Sequence, residues 1–500
     1  MPAKRPRENS ESGEEEENLQ PNKDLLEMIK NRAPTPVHHY PSTLPFPVVM
    51  GDDFPREAYR SRSTDVKTSV HWGQRKLLLS EIQLLCMYCK PDVSYHIVYA
   101  GSAPGTHLAF LDDMFSCRHT WELVDPGKFD LAALASRPNF QLRNEFFTNA
   151  TAYGINARRL QEVLPALGTV YQHCAVDSVR AEKAALHVEL EGIVGTLDVA
   201  RGTEDIPSMY ETPLSLPAGL QLLCQVGLER NKPLLFVSDI RSGSVALPNF
   251  EDHVAENMRA QECWTMILNG AYSMLKFRLP YTRKAKGFGG KDAVAQTHLI
   301  REDGTVPYLR GDMLLPIWTR PTSSEGRLVV PQDAFQKAYH VDQMEDQFFF
   351  FNARVREEVH FNHLLCHNSD HHFDNAAEVH CLETYLYFMR PELKEAPVSE
   401  LRKEIKLTRD RITDSLKITF TDAIRRRDAL VLKQAGQGQS GKQAASDDAS
   451  SFLPVAKEIL AQAQKERKRA IWSANIYEPN NKEPSGFWVT TKVQEPTKKS

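Results

Sequence analysis

The sequence predicts an α/β fold, a doubly wound and mostly parallel sheet with helices on both faces. Three observations carry the prediction. From residue 73 onward, apolar runs of strand length alternate with longer stretches of helical period. The run HIVYA passes directly into GSAPGTH, a glycine-bearing turn from a strand into a helix. Two further runs, TWELVD and PLLFVSD, each end in an acid, Asp125 and Asp239. In such sheets ligands sit beyond the C-terminal ends of the strands, where the strand order reverses, so the chemistry is expected there.

The elements follow in order. Asp24–Arg32 reads as a short helix, and Pro34, Pro36, Pro41, Pro45 and Pro47 make an extended segment after it. GQRKLLLSEIQLLCMYCK has apolar residues at helical spacing and stops before Pro91. HIVYA, TWELVD, FQLRNEFF and PLLFVSDIR are four strands, Glu251–Leu268 is a helix, and SMLKFRLP is a fifth strand. Residues 151–230 are too long for a simple crossover, so an inserted lobe or extra helices are expected. The run 431–451 has linker composition, and AKEILAQAQKERKRAIW reads as a helix with a basic end. The domain plan is a disordered or extended tail over 1–55, a main domain over 56–395 with the insertion, and a basic helical extension over 396–500.

With 500 residues, 41% apolar and 25% charged, the chain has room for a large enzyme domain, and collagen-like, wholly disordered and disulfide-scaffold classes are excluded. No run approaches 18 consecutive apolar residues, so no membrane span is expected. MPAKRPRENSESGEEEE lacks the apolar stretch of a secretory signal, and the eight cysteines are sparse, which points to a reducing compartment. The net charge of −4 conceals segregation. Residues 1–20 carry three basic residues against six glutamates; residues 276–310 carry eight Lys/Arg against three acids; residues 391–500 carry 21 basic residues against 15 acids. The last two stretches suit a polyanion. Lys4-Arg5-Pro6-Arg7 has the pattern of a nuclear-import signal, so a nuclear location is expected.

Gly101 and Gly105 let backbone amides approach a bound ligand at the strand-to-helix turn. An ordinary tight turn would use the same glycines. Asp125, 24 residues after Gly101, can accept both hydroxyls of an adenosine ribose. The spacing fits a dinucleotide or S-adenosylmethionine. G-S-A-P-G is poorer in glycine than the G-x-G-x-x-G of pyrophosphate binders, which favours S-adenosylmethionine. Asp239 would project into the same crevice. Methyl transfer to a hydroxyl needs a base and an in-line approach, and a lysine near a second lysine in a partly dry crevice has its pKa lowered toward that task. Lys76, Lys276 and Glu325 are candidates, but spacing alone does not select them from 61 basic and 65 acidic residues.

The ordered blocks GQRKLLLSEI, YAGSAPGTHLAFL, VD, FVSDIRS, MLKFRLPY, SSEGRL and MEDQFFFFN, spread over residues 73–390, resemble the poxvirus-type cap ribose 2′-O-methyltransferase family. Its viral member is also the small, regulatory subunit of the poly(A) polymerase. The length, tails and import-like signal are similar to the kinetoplastid cap-4 ribose methyltransferases within that fold. The resemblance implies a Rossmann-like, S-adenosylmethionine-dependent methyltransferase whose Lys-Asp-Lys-Glu tetrad falls on Lys76, Asp239, Lys276 and Glu325. Lys276 would be the general base, Asp239 would orient it, and Lys76 and Glu325 would complete the charge network. Gln74, Tyr99, Gly101, Gly105, His107, Asp125 and Phe147 would line the cofactor site, with Asp125 on the ribose and Phe147 on the adenine; Asp239 borders it. Tyr281 would stack on the methylated guanine and Glu345, seven residues before Asn352, would read its edge. Thr322 stands where the family has a second aromatic, and Arg283 where it has another carboxylate. With Lys284, Arg283 would contact RNA phosphates instead.

Other clusters read more plainly. Cys86 and Cys89 are core cysteines, because no second pair lies at zinc spacing. His360, His363, Cys366, His367, His371, His372, His380 and Cys381 are dense but lack a metal-ligand pattern, so no metal is expected. Phe348–Phe351 is core packing of a buried helix. Arg425–Arg427 and Lys465–Arg469 could hold phosphates or form solvated helix faces. The expected function is 2′-O-methylation of 5′-terminal nucleotides of capped mRNA or other capped RNA, with capping or transcription machinery as further partners. Two rivals stand beside it: a non-catalytic RNA-binding or polymerase-regulating subunit that keeps the fold, and a nicotinamide-dependent oxidoreductase.

Overall fold

The computed structural model describes residues 37–40, 44–60, 62, 65–172, 232–242, 250–280, 299–332, 334–361, 365, 370–437, 454, 456–462 and 489–491. Two short strands, β1 (Val37–Tyr40) and β2 (Val49–Met50), precede helix α1 (Gly73–Tyr88). Helix α1 buries Leu78, Leu79, Ile82, Leu84 and Leu85 and ends at Cys89, whose extended backbone leads to Pro91. Then come β3 (His96–Ala100), α2 (Leu108–Met114), β4 (Thr120–Val124), α3 (Leu131–Leu134), β5 (Phe140–Arg143) and α4 (Asn149–Gln172). Strand β6 (Leu234–Ser238), α5 (Phe250–Leu268) and β7 (Tyr272–Phe277) complete the five strands that the apolar runs predict. Past their first residues β3 and β4 are buried throughout, and all of β6 is, as strands covered on both faces must be.

The central sheet has eight strands in the order β2-β9-β10-β7-β6-β3-β4-β5, where β9 is Asp312–Leu314 and β10 is Gly326–Pro331. Strands β7, β6, β3, β4 and β5 are mutually parallel; β10, β9 and β2 extend them antiparallel. The chain runs outward from β3 through β4 to β5, then returns to place β6 and β7 on the other side of β3. The order therefore reverses between β3 and β6, whose last residues Ala100 and Ser238 are paired. Register also shows helices on both faces. Tyr99 and Phe236 belong to adjacent cross-strand pairs and so point to opposite faces. Tyr99 reaches Glu81 on α1, and Phe236 packs with Trp264 on α5.

The antiparallel wing is absent from the sequence reading, which ended the sheet at the fifth strand. A two-stranded antiparallel sheet of β8 (Thr305–Leu309) and β11 (Gln336–His340), with β9 and β10 between them in the chain, flanks it. After helix α6 (Val341–Phe350), a π-helical turn (Phe351–Val355) and the short α7 (Arg356–Glu358) lead to β12 (Val359–Phe361). Phe348, Phe349 and Phe351 are buried and Phe350 is half-buried, as core packing requires. Helices α8 (Phe373–Met389), α9 (Val398–Leu416) and α10 (Phe420–Gln437) follow, and β13 (Val489–Thr491) joins β1 and β12 in a small sheet.

Leu401, Ile405, Ile412 and Ala423 belong to the main core, so α9 and α10 share it with the sheet. Residues 431–437, assigned above to a linker, continue α10. Arg427 is buried and donates to the Thr68 carbonyl, so it is neither a phosphate contact nor a solvated face. Cys86 and Cys89 pack on the core, and burial pushes the Cys89 thiol up to about 12, away from reactivity. Residues 151–172 of the inserted region lie in α4. Asp24–Arg32, Lys4–Arg7, residues 173–230, Tyr281, Arg283, Lys284, His363, Cys366, His367, 438–451 and Lys465–Arg469 lie outside the described residues. Among those described, no helix is long and apolar enough to cross a membrane, and no group of His, Cys, Asp and Glu could hold a metal ion.

Candidate functional site

Three loops meet where the strand order reverses. Gly101 donates its amide to the Val124 carbonyl, Asp125 to Arg143, and Asp239 to Ala100, so the sheet's hydrogen bonding runs on past the strand ends. Gly101 has φ +78°, and a Cβ there would stand 2.9 Å from the Ile240 nitrogen. Only glycine suits both the left-handed backbone and that approach. Gly105, at φ +70°, is crowded by Leu134 and Leu108, so its need is packing as well as conformation. Asp125 is half-buried; Oδ2 accepts from Ala103 N at 3.1 Å and Oδ1 from Gly127 N at 2.6 Å. Each carboxylate oxygen keeps a further lone pair.

Beside this loop runs a buried polar chain. Gln74 Oε1 lies 3.1 Å from His107 Nδ1, His107 Nε2 lies 3.0 Å from Glu81 Oε1, and Tyr99 donates to the same Glu81 oxygen at 3.0 Å. Glu81 is absent from the sequence reading; an acid in the middle of the otherwise apolar α1 stretch was the available signal. Phe147 sits among Phe236 and Trp264, with ring centroids 5.5 and 4.8 Å away, while its neighbour Phe146 is 74% exposed.

Lys76, Asp239, Lys276 and Glu325 meet in one ion-pair cluster. Lys276 Nζ lies 3.3 Å from Asp239 Oδ1 and 3.7 Å from Glu325 Oε2, and Lys76 Nζ lies 3.4 Å from Glu325 Oε1. Two arginines missing from the sequence reading complete it. Arg327 donates to Asp239 Oδ1 at 2.5 Å and to Glu325 Oε1 at 3.3 Å; Arg241 donates to Glu325 Oε2 at 3.0 Å. Their signal was local: each follows an acid by two residues, in Asp239-Ile-Arg241 and Glu325-Gly-Arg327. Arg327 also pairs directly with Lys276 across β10 and β7.

Burial disfavours charge on Asp239, Glu325 and Lys76, and the partners decide the outcome. For Asp239, burial pushes upward, but Lys276, Arg327 and Lys76 hold the carboxyl below its usual range. Glu325 is held well below, against burial, by Lys276, Lys76, Arg327 and Arg241. Lys76 goes down: burial, Arg327 and Lys276 outweigh Glu325 and Asp239. The cluster thus keeps two ionised carboxylates facing a lysine whose proton is loosened.

Beside the cluster, Phe277, Leu279, Ser324, Val341, Met344, Glu345 and Phe348 line a narrow cleft of about 10 Å³, room for roughly one water. Phe277 and Ser324 are sequence neighbours of Lys276 and Glu325, so the two sites adjoin. Glu345 is 7% exposed within apolar walls.

A model of the poly(A) polymerase regulatory subunit family, a family tied to a poxvirus methyltransferase fold, matches residues 47–164. The match spans β2 to α4 and contains Gln74, Lys76, Tyr99, Gly101, Gly105, His107, Asp125 and Phe147, but not Asp239, Lys276 or Glu325. No curated protein matches the chain.

Proposed function

We propose that the chain methylates a ribose 2′-hydroxyl near the 5′ end of capped RNA, using S-adenosylmethionine. The observation that carries the reading is the gathering of Lys76, Asp239, Lys276 and Glu325 at the reversal point of the sheet, beside a glycine turn with an acid on the neighbouring strand. The turn suits a nucleoside: Gly101 and Gly105 hold its left-handed backbone, and Asp125 offers its remaining lone pairs at the adjacent strand end. Gln74, Tyr99, Gly105, His107 and Phe147 would complete that cofactor site. When bound, S-adenosylmethionine supplies an electrophilic methyl group.

Lys276, as the neutral amine, takes the proton of the attacking hydroxyl. Asp239 at 3.3 Å orients the amine and, with Glu325, stabilises the ammonium that forms. Lys76 and Arg327 hold both carboxylates ionised and in place. Glu345 would read the edge of the cap guanine, with Tyr281 as the stacking ring and Arg283 and Lys284 on phosphates. The import-like Lys4–Arg7 supports a nuclear location.

The test is mass spectrometry of a capped oligonucleotide incubated with the protein and S-adenosylmethionine. A methyl group on a 5′-terminal ribose is expected. A second reading, a non-catalytic subunit that regulates a polymerase, is favoured by the description of the matched family. It predicts capped-RNA or polymerase binding with no methyl gained.

A further inference from the structure

We infer that Asp374 and Glu378, one turn apart on α8, are positioning residues that set Lys76 and Glu325 against each other. The catalytic meaning of that pair rests on the methyltransferase reading; the geometry does not.

The first turn of α1 carries Gln74, Arg75 and Lys76, and its N-cap, Trp72, makes no side-chain cap hydrogen bond. What fixes the turn is Arg75. It is 1% exposed, and it grips Glu378 with two bonds, Nη2 to Oε1 at 2.6 Å and Nε to Oε2 at 2.8 Å. Its guanidinium also lies 4.3 Å from the centre of the Trp72 ring and donates to Thr413 Oγ1 on α9 at 3.2 Å. Glu378 further accepts from Trp318 Nε1 at 2.6 Å and from Arg409 of α9 at 2.8 Å.

Asp374 holds the other half. It accepts from Trp318 N at 2.7 Å and from Arg356 Nη2 at 2.9 Å. Arg356 in turn donates to the carbonyls of Thr319 and Arg320 and to Asn352 Oδ1, and Asn352 donates to Ser323 O at 2.8 Å. These contacts fix the segment that delivers Glu325. Residues i and i+4 share one helix face, so a single face of α8 fixes both Lys76's turn and Glu325's loop. Burial pushes Glu378 up, yet Arg75, Arg409 and Trp318 hold it at about 2, so it stays a charged anchor at working pH. Bidentate, charged anchors of this kind are geometrically specific.

The test compares Glu378→Gln and the milder Arg409→Gln, whose parent side chain is 27% exposed. Methyl transfer to capped RNA should lose about tenfold in kcat for Arg409→Gln and about 10²-fold for Glu378→Gln, with cofactor affinity and KM within about twofold, because a displaced group harms chemistry more than binding. Arg409→Lys should restore part of the loss. NMR titration of lysines labelled at Cε gives a readout independent of activity: Lys76, depressed chiefly by burial, should move up toward the ordinary lysine value as its turn loosens. Unchanged kcat and an unchanged Lys76 titration in folded variants would overturn the inference. If Glu378→Gln fails to fold, Arg409→Gln decides. If the wild type transfers no methyl group, the methyltransferase reading falls and the Lys76 titration alone decides.

Discussion

Arg327 touches both carboxylates of the cluster and pairs across the strands with the proposed base, so one guanidinium ties the proton acceptor to its partners. In that setting Lys276→Ala should remove transfer by about 10²–10⁴-fold. Cofactor affinity, measured by calorimetry, should stay unchanged, because the proposed role sets Lys276 against the hydroxyl rather than the cofactor. Lys276→Arg should fail as well, since a guanidinium cannot give up its proton at working pH. Near-normal turnover in either variant would end the role assigned to Lys276. Glu345 offers a second test. Glu345→Gln should weaken binding of capped RNA more than of uncapped RNA with the same sequence; equal losses would separate the guanine from Glu345. At this scale the sequence was least informative. Lys76 and Glu325 are 249 residues apart, and no local pattern pairs them. Only the ordered resemblance brought the four tetrad residues together, whereas the two arginines could have been read from their acid-x-Arg spacing.

Elements were legible where burial is simple. Strands β3, β4 and β6 are apolar runs because water reaches neither face of them. Strand β9 has three residues and β2 has two, too short for any periodicity to register. Helix α8 was hidden for another reason: it buries Asp374, Asn375 and Glu378 among apolar residues on all sides, so no single apolar stripe marks it. The antiparallel wing has its own weak point at Gly311, between β8 and β9. A Cβ there would run into the Val329 carbonyl oxygen on β10, which is backbone and cannot swing aside. Gly311→Ala should therefore cost about 1–3 kcal/mol, read as a lower urea midpoint. It should also slow transfer, because β9 pairs Leu314 with Arg327. An unchanged midpoint would mean that β9 and β10 do not pack as closely as described.

For the whole molecule, acid is the sensitive direction. Burial pushes His71 and His119 down to about 4 and His360 to about 2. His119 stays neutral to accept from Tyr95 N at 3.2 Å. An unfolded chain protonates these rings near pH 6.5, so between about 6.5 and 4 it binds protons that the folded chain does not, and stability falls as pH falls. The carboxylates add a second loss lower down. Glu122 and Glu378 are held at about 2, so the stability they contribute is present above about 4.3 and disappears as pH drops through their folded values. Urea midpoints should decline already between pH 6.5 and 4.5, and His119→Gln should flatten part of that slope. A flat wild-type profile there would contradict neutral buried imidazoles.

The position of α8 in the chain has a consequence for biosynthesis. A ribosome delivers the chain from its N-terminus at about 5–20 residues per second. Lys76, the glycine turn and all five parallel strands emerge before residue 278, yet Asp374, Glu378 and Arg409 emerge 96 residues later or more. For that interval the nascent protein holds its complete parallel half with the first turn of α1 unanchored. Nascent chains stalled after β10 should therefore protect the sheet from protease while leaving the Trp72–Lys76 turn open to cleavage, and competence should arrive only with the last helices.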